Sequence, residues 1–167
     1  MKTGILERIL TRRYGQPVLS VRHGLSARCW NLDNPDYSSA LYVGMNWAKP
    51  WNSRFAPLRG IYGDIFGGFL IKNTLKAAIL LPRKVYGLWN IDELQIQHQV
   101  QQALAKDPEI EFFMDAYMVY FYGIKGGRLY VFDAETDELD LLGPIEPALE
   151  TVMDEFEAAR DENQAFR

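Results

Sequence analysis

The tightest constraint on this chain is residues 120–133, YFYGIKGGRLYVFD, where two aromatic and apolar runs meet at Lys125-Gly126-Gly127. A two-residue reversal between paired strands needs positive φ at one or both central positions. Glycine reaches that region without the Cβ clash that other residues meet. The glycine pair therefore predicts a hairpin, with RLYVFD (128–133) returning antiparallel to the run before it. The preceding stretch FFMDAYMVYFYGI (112–124) is almost wholly apolar or aromatic, which predicts a central strand buried on both faces. Beyond the hairpin, AETDE (134–138) reads as a second turn and LDLLG (139–143) as a third strand. A three-stranded antiparallel meander follows from these signals.

Helices flank it. Ile5, Leu6, Ile9 and Leu10 recur at helical spacing, Arg12 and Arg13 complement a helix C-terminus, and Gly15 can take a left-handed cap. A helix is predicted over 3–14. Asn90 followed by Glu93 has the layout of a capping box, and Lys106 then Pro108 ends that helix. Leu94, Gln97 or His98, Gln101 and Leu104 are expected to line one face, broadened by Ile91, Val100 and Ala103. Leu149, Val152, Met153, Phe156 and Ala159 form an apolar stripe after Pro147, which predicts a closing helix. Between residues 16 and 80 the signals are weaker. Residues 17–25 suggest a short strand and 33–39 a turn. The piece from 46 to 60 reads as a long loop, and in 63–87 helix and strand readings compete. The expected architecture is one α+β domain over 1–167: an antiparallel sheet with helices packed on it, the C-terminal meander followed by a long helix.

Forty-eight per cent of residues are hydrophobic, enough to build a core. With 22 acidic and 18 basic residues the net charge is −4. A protein that neutralises phosphates carries the opposite excess, so nucleic acid is not expected as a partner. No membrane partner is expected either, because AAILL (77–81) is too short to span a bilayer. The first 15 residues are charged and amphipathic, without the apolar run of a secretory signal. Cys29 stands alone and cannot form an internal disulfide. A cytoplasmic location is expected.

Residue types that carry chemistry are present but scattered. GIKGGRL (123–129) lacks phosphate-loop spacing and joins two strands, whereas a phosphate cradle precedes a helix. Cys29 has His23 six positions before it but no third group to orient an imidazole, so a buried thiol is the simpler reading. His23 and His98 are far apart, and no Cys-x-x-Cys or His-x-x-x-His pattern occurs, so neither metal nor cofactor is expected. An enzyme would have to assemble its site from dispersed groups, for instance Asp64, Asp115 and His98. Asp133, Glu135, Asp137, Glu138 and Asp140 crowd eight residues. They read as a solvated hairpin tip that blocks aggregation, or as an acidic knob for a basic partner. Trp47, Trp51 and Arg54 are residue types of interface hot spots, and packing in the core competes with that role.

GLWNIDEL (87–94), YFYGIKGGRLYVFDAETDELDLLG (120–143) and ALETVMDEFEAA (148–159) together resemble the SMI1/KNR4 (SUKH) superfamily of small α+β proteins. The first is similar to the family's approach to a helix. The second is similar to its strand–Gly turn–strand–turn–strand element, and the third to its closing helix, with Met153 and Phe156 on the buried face. The likeness covers residues 85–160. The family's early proline-containing segment is approached only by LLPRKVYG (80–87), which lies late, and residues 16–80 have no counterpart. The resemblance implies an immunity-type protein, not an enzyme, that binds and blocks a cognate bacterial toxin. It transfers no binding residue. The expected function is therefore protein binding, with Trp47, Trp51, Arg54 and the five acids of 133–140 as partner-binding candidates. Homo-oligomerisation through residues 112–123 and the glutamine-rich helix is a further expectation, as is the dispersed-site enzyme.

Overall fold

The computed structural model describes residues 3–22, 25–30, 42–46, 59–63, 65–70, 77–80, 93–116 and 119–165. Helix α1 (Ile5–Tyr14) is followed by strands β1 (Val18–Arg22), β2 (Leu25–Trp30) and β3 (Tyr42–Asn46). A single helical turn, α2 (Arg59–Tyr62), precedes β4 (Ile65–Leu70) and β5 (Ala77–Leu80). Then come α3 (Glu93–Lys106), β6 (Glu111–Ala116), β7 (Tyr120–Lys125), β8 (Arg128–Asp133), β9 (Glu138–Pro144) and α4 (Ile145–Ala165). Each strand pairs antiparallel with the next, giving the order β1 to β9 across the sheet. The fold is α+β, with a helix after the last strand. None of the described helices is long and apolar enough to cross a membrane.

The glycine turn forms as expected. Gly126 and Gly127 both have positive φ, 57° and 74°, and Lys125 pairs with Arg128. The long apolar run behaves differently from its expectation. Residues 112–124 are not one strand but parts of two, β6 and β7, so the C-terminal meander has four strands. A strand of 13 residues would extend over roughly 43 Å, far beyond the usual length. Burial on both faces does hold: Phe121, Tyr122, Gly123 and Ile124 are all buried. Between 16 and 80, the described residues of the ambiguous 63–87 stretch are strands β4 and β5. The expected turn at 33–39 lies outside the described residues.

Alternation along the strands produces two apolar layers. On one face, Phe113, Met114, Tyr122, Ile124 and Leu129 meet Leu6, Ile9 and Leu10 of α1 and Leu149, Val152 and Met153 of α4, with Trp30 and Ile61. On the other face, Phe112, Phe121 and Phe132 meet Ala103, with Val100 and Leu104 beside it. Burial of the Tyr122 phenol raises its pKa and keeps it neutral. Helix α3 therefore presents Val100, Ala103 and Leu104 to the sheet, whereas Gln101 and His98 are exposed. Val100, Ala103 and Leu104 lie on the expected face, whereas the placement of Gln101, and of His98 as the alternative to Gln97, is corrected. The residues cheapest to desolvate set the helix rotation, and a glutamine inside would need hydrogen-bond partners of its own. Leu149, Val152 and Met153 lie inside as expected. Asn90, Ile91 and the side chains of Leu94, Gln97, Phe156 and Ala159 lie outside the described residues.

The first layer also curls the sheet. Helix α1 touches β2, α4 touches β8 and β9, and the two helices touch each other. Packed helices sit about 8–10 Å apart. In a flat sheet β2 and β8, six strands apart, would be separated by roughly 29 Å. The strands between them must wrap around the helix pair. Charges line the outside of this pair. Arg12 Nη2 lies 2.8 Å from Glu146 and 3.2 Å from Glu150, Arg8 lies 3.3 Å from Glu146, and Arg13 lies 2.8 Å from Asp154. Arg13 also donates to the Glu150 carbonyl at 3.0 Å. Arg12 and Arg13 lie in the last turn of α1, where the sequence places them beside the helix dipole, and they also bind α4. Underneath, the nearly buried Glu7 carboxylate pairs with Arg28 of β2.

Gly123 leaves no room for a side chain in the second layer. A Cβ there would fall inside van der Waals contact with Ile110 Cγ2, 2.9 Å from Phe112 Cδ1 and 3.1 Å from the Glu111 carbonyl. Beside it β6 carries an extra residue, Phe113, between the pairs Phe112–Gly123 and Met114–Tyr122. Gly123→Ala is expected to lower stability by about 1–3 kcal/mol through overpacking. Gly60→Ala, where an added Cβ meets nothing, should leave stability unchanged or slightly raised. Urea unfolding of both variants measures the difference. A second expectation concerns pH. Hydrogen bonds, first from Arg12 and then from Arg8, hold Glu146 below the ordinary carboxylate range. A carboxylate depressed in the folded state contributes stability above its unfolded pKa, about 4.3, and loses it as pH falls through the lower folded value. Calorimetry should show the melting midpoint falling as pH drops below about 4, with a smaller fall in Glu146→Gln than in the unaltered protein. An equal fall in both would show that the helix pair is not the acid-sensitive contact.

Candidate functional site

The acidic segment 133–140 lies at the β8–β9 hairpin and along β9. Its five carboxylates divide by what they touch. Asp133 is half-buried, and its Oδ1 accepts hydrogen bonds from the backbone N–H of Glu135 at 2.9 Å and of Thr136 at 3.3 Å. Such a side chain imitates a backbone turn and fixes the reversal. The Ala134 N–H donates to the Val119 carbonyl at 2.8 Å and ties the tip to the loop before β7. Asp137 is the single described non-glycine residue with positive φ, at 59°. Aspartate tolerates that region better than most residues. Its carboxylate lies 2.9 Å from Lys106 Nζ at the end of α3. Asp133 and Asp137 thus have structural tasks, while Glu135, Glu138 and Asp140 face water.

Strand β9 is the last strand of the sheet. It pairs with β8 along one side, Asp133 opposite Glu138 through Arg128 opposite Pro144. Among the described strands none pairs with its other side. Opposite Leu129 and Tyr130, β9 carries one extra residue, Leu142, so the strand bulges there. Gly143 next to it has φ 124°, a conformation that a side chain would strain. The inner end of the strand is anchored by Leu139, which packs against the second apolar layer. Leu141 and Leu142 are not anchored: they are 50% and 42% exposed. These two leucines were not singled out from the sequence. The signal was present as an apolar pair in the acidic run, but an alternating strand pattern hides which positions lack a covering layer. The opposite edge, β1, exposes Val18 and Leu19.

A second charged group sits at the other end of the hairpins. Lys125 Nζ lies 2.7 Å from Asp107 Oδ2 and 3.3 Å from Glu109, and Asp107 Oδ1 accepts the Glu109 N–H at 3.0 Å. The hydrogen bond from Lys125, followed by the backbone one, lowers the Asp107 pKa. These bonds join the α3–β6 turn to the glycine hairpin.

Trp47, Trp51 and Arg54 lie outside the described residues, as do His23 and Asp64. His98 is exposed on α3 and Asp115 lies on β6 opposite Ile79 and Phe121. Among the described residues no group of His, Cys, Asp and Glu side chains is arranged to hold a metal ion. Phe112, Phe113, Met114, Phe121 and Tyr122, considered above as an oligomer contact, are buried in the chain's own core. Comparison with protein-family models, with curated proteins and with solved structures finds no match to this chain.

The division of the acids has a direct test. Asp133→Ala removes two turn hydrogen bonds and should cost about 1 kcal/mol in chemical denaturation. Glu135→Ala and Glu138→Ala, which face water, should stay within about 0.5 kcal/mol of the unaltered protein.

Proposed function

We propose that this protein works by binding another protein, as an immunity protein that neutralises a cognate bacterial toxin by direct contact in the cytoplasm. The observation that carries the binding reading is β9, a sheet edge with two exposed leucines among exposed carboxylates. Apolar side chains held in water beside charge are the composition of a recognition surface: burial of the leucines supplies affinity, and the acids speed encounter and select orientation. The toxin as partner rests on the likeness of residues 85–160 to the SMI1/KNR4 superfamily, which is an argument from family and not from geometry. Neutralisation would follow from occlusion of the toxin's active site, or from holding it in an inactive shape. Trp47, Trp51 and Arg54 remain partner-binding candidates in this reading.

The test is capture followed by neutralisation. Tagged protein is expected to recover a stoichiometric protein partner from its native host, and that partner alone should arrest growth when expressed. Adding this protein at equal concentration should abolish the arrest. Turnover of a small metabolite with no stoichiometric protein bound would overturn the reading.

A further inference from the structure

We propose that the outer edge of β9 is a strand-docking site, which an extended basic segment of a partner protein joins as a tenth strand. This rests on the protein-binding reading above and assigns that reading its surface and its mode of recognition. Strand β9 (Glu138–Pro144) ends the sheet, and β8 satisfies one side of it. In an antiparallel strand every second residue turns its N–H and C=O to the far side. Those groups form a ready ladder for an incoming strand, which gains affinity from main-chain hydrogen bonds and specificity from alternate side chains.

The side chains define the occupant. Leu141 and Leu142 offer adjacent apolar surface, both positioned by the bulge. Glu138 and Asp140 stand exposed on the same strand, with Glu135 at its tip. Like charges directly opposite one another destabilise a strand pair. Two copies of β9 laid in parallel register, or antiparallel about Leu139, would set acid opposite acid, so charge disfavours those pairings of the edge with itself. It favours a strand in which lysine or arginine alternates with apolar residues. Charge, a bulge and a proline are also the devices by which proteins protect an open edge from aggregation. That account explains Glu138, Asp140, the bulge and Pro144. It does not explain two leucines left uncovered, since protection alone is better served by polar residues there. Strand β1, with sequence VLSVR, has the opposite charge and is the segment of a second copy that could compete. Such β1–β9 contacts are head-to-tail and would build rings or open chains.

The experiment uses the full chain and three capped synthetic octapeptides: one alternating lysine with valine, one with glutamate in place of lysine, and one with proline in place of a central valine. Fluorescence anisotropy measures affinity, and amide hydrogen exchange maps the contact. The lysine peptide should bind and slow exchange in 138–143. The proline peptide should bind about tenfold or more weakly, because proline lacks the ladder donor and clashes with the neighbouring strand. The glutamate peptide should not bind. Combined Glu138→Lys and Asp140→Lys should weaken the lysine peptide about tenfold, whereas Leu19→Ser in β1 should change nothing; circular dichroism verifies the fold of each variant. Equal binding of the lysine and proline peptides, absence of protection in β9, or no binding by the unaltered protein would each overturn the proposal. Slowing of β9 exchange with protein concentration alone, accompanied by polymers that Leu19→Ser abolishes, would overturn it in favour of a second copy. If a toxin is neutralised while these peptide arms fail, the toxin reading stands and the β9 assignment falls. If the peptide arms succeed and no toxin is neutralised, the reverse holds.

Discussion

The pairing of the first helix with the last is the contact on which the remaining structure depends. Leu6, Ile9 and Leu10 of α1 share one apolar cluster with Leu149, Val152 and Met153 of α4, although well over a hundred residues separate them in sequence. The ion pairs from Arg8, Arg12 and Arg13 to Glu146, Glu150 and Asp154 lie on the wet side of that cluster. Exposed pairs of this kind contribute little energy individually. Their value is in register: arginines and carboxylates spaced along the two helices match in one alignment. The apolar contact supplies the driving force and the charges select the alignment. Since α1 also touches β2 and α4 also touches β8 and β9, the same contact obliges the sheet to curve.

Curvature and twin burial explain why the middle of the meander is so densely aromatic. Strand β7 has helices on both faces, so it cannot alternate apolar with polar residues as a half-exposed strand does. Where the α3 side comes closest, the strand gives up its side chain altogether at Gly123 and lets Ile110 and Phe112 fill the space. The neighbouring bulge at Phe113 lets β6 send two consecutive side chains, Phe113 and Met114, into the α1–α4 layer. Close packing of this kind leaves little of residues 112–114 and 121–124 for contact with anything outside the molecule.

The last strand is built by different rules. Only Leu139 of β9 reaches a packed layer, and beyond it Leu141 and Leu142 are uncovered. The acids around them are not equivalent. Asp133 holds the turn and Asp137 bonds Lys106, so the charge available to a partner comes from Glu135, Glu138 and Asp140. A sheet that ends in exposed backbone, apolar side chains and one sign of charge offers an elongated, oriented recognition surface. The functional proposal follows from that surface.

The sequence by itself determined what is local. Gly126-Gly127 determined the hairpin, because both residues need positive φ. Pro108 determined the end of α3, and the 149/152/153 stripe the buried face of α4, because helix periodicity and proline geometry act within a few residues. Where a signal depended on distant neighbours, tertiary structure decided. An apolar run reads the same whether it is one strand or two, so the split of 112–124 required the partner strands on either side. The glutamines of α3 held helical spacing as well as its leucines did, and the cost of desolvation turned Val100, Ala103 and Leu104 inward. Arg12 and Arg13 suited a helix end by local rules, but the arrival of α4 gave them carboxylates. Whether the acids of 133–140 braced a turn or faced water depended on hydrogen bonds and exposure that spacing does not encode. Short-range sterics fix turns and helix ends in any context, whereas burial is a property of what lies across the gap, and only the folded chain supplies it.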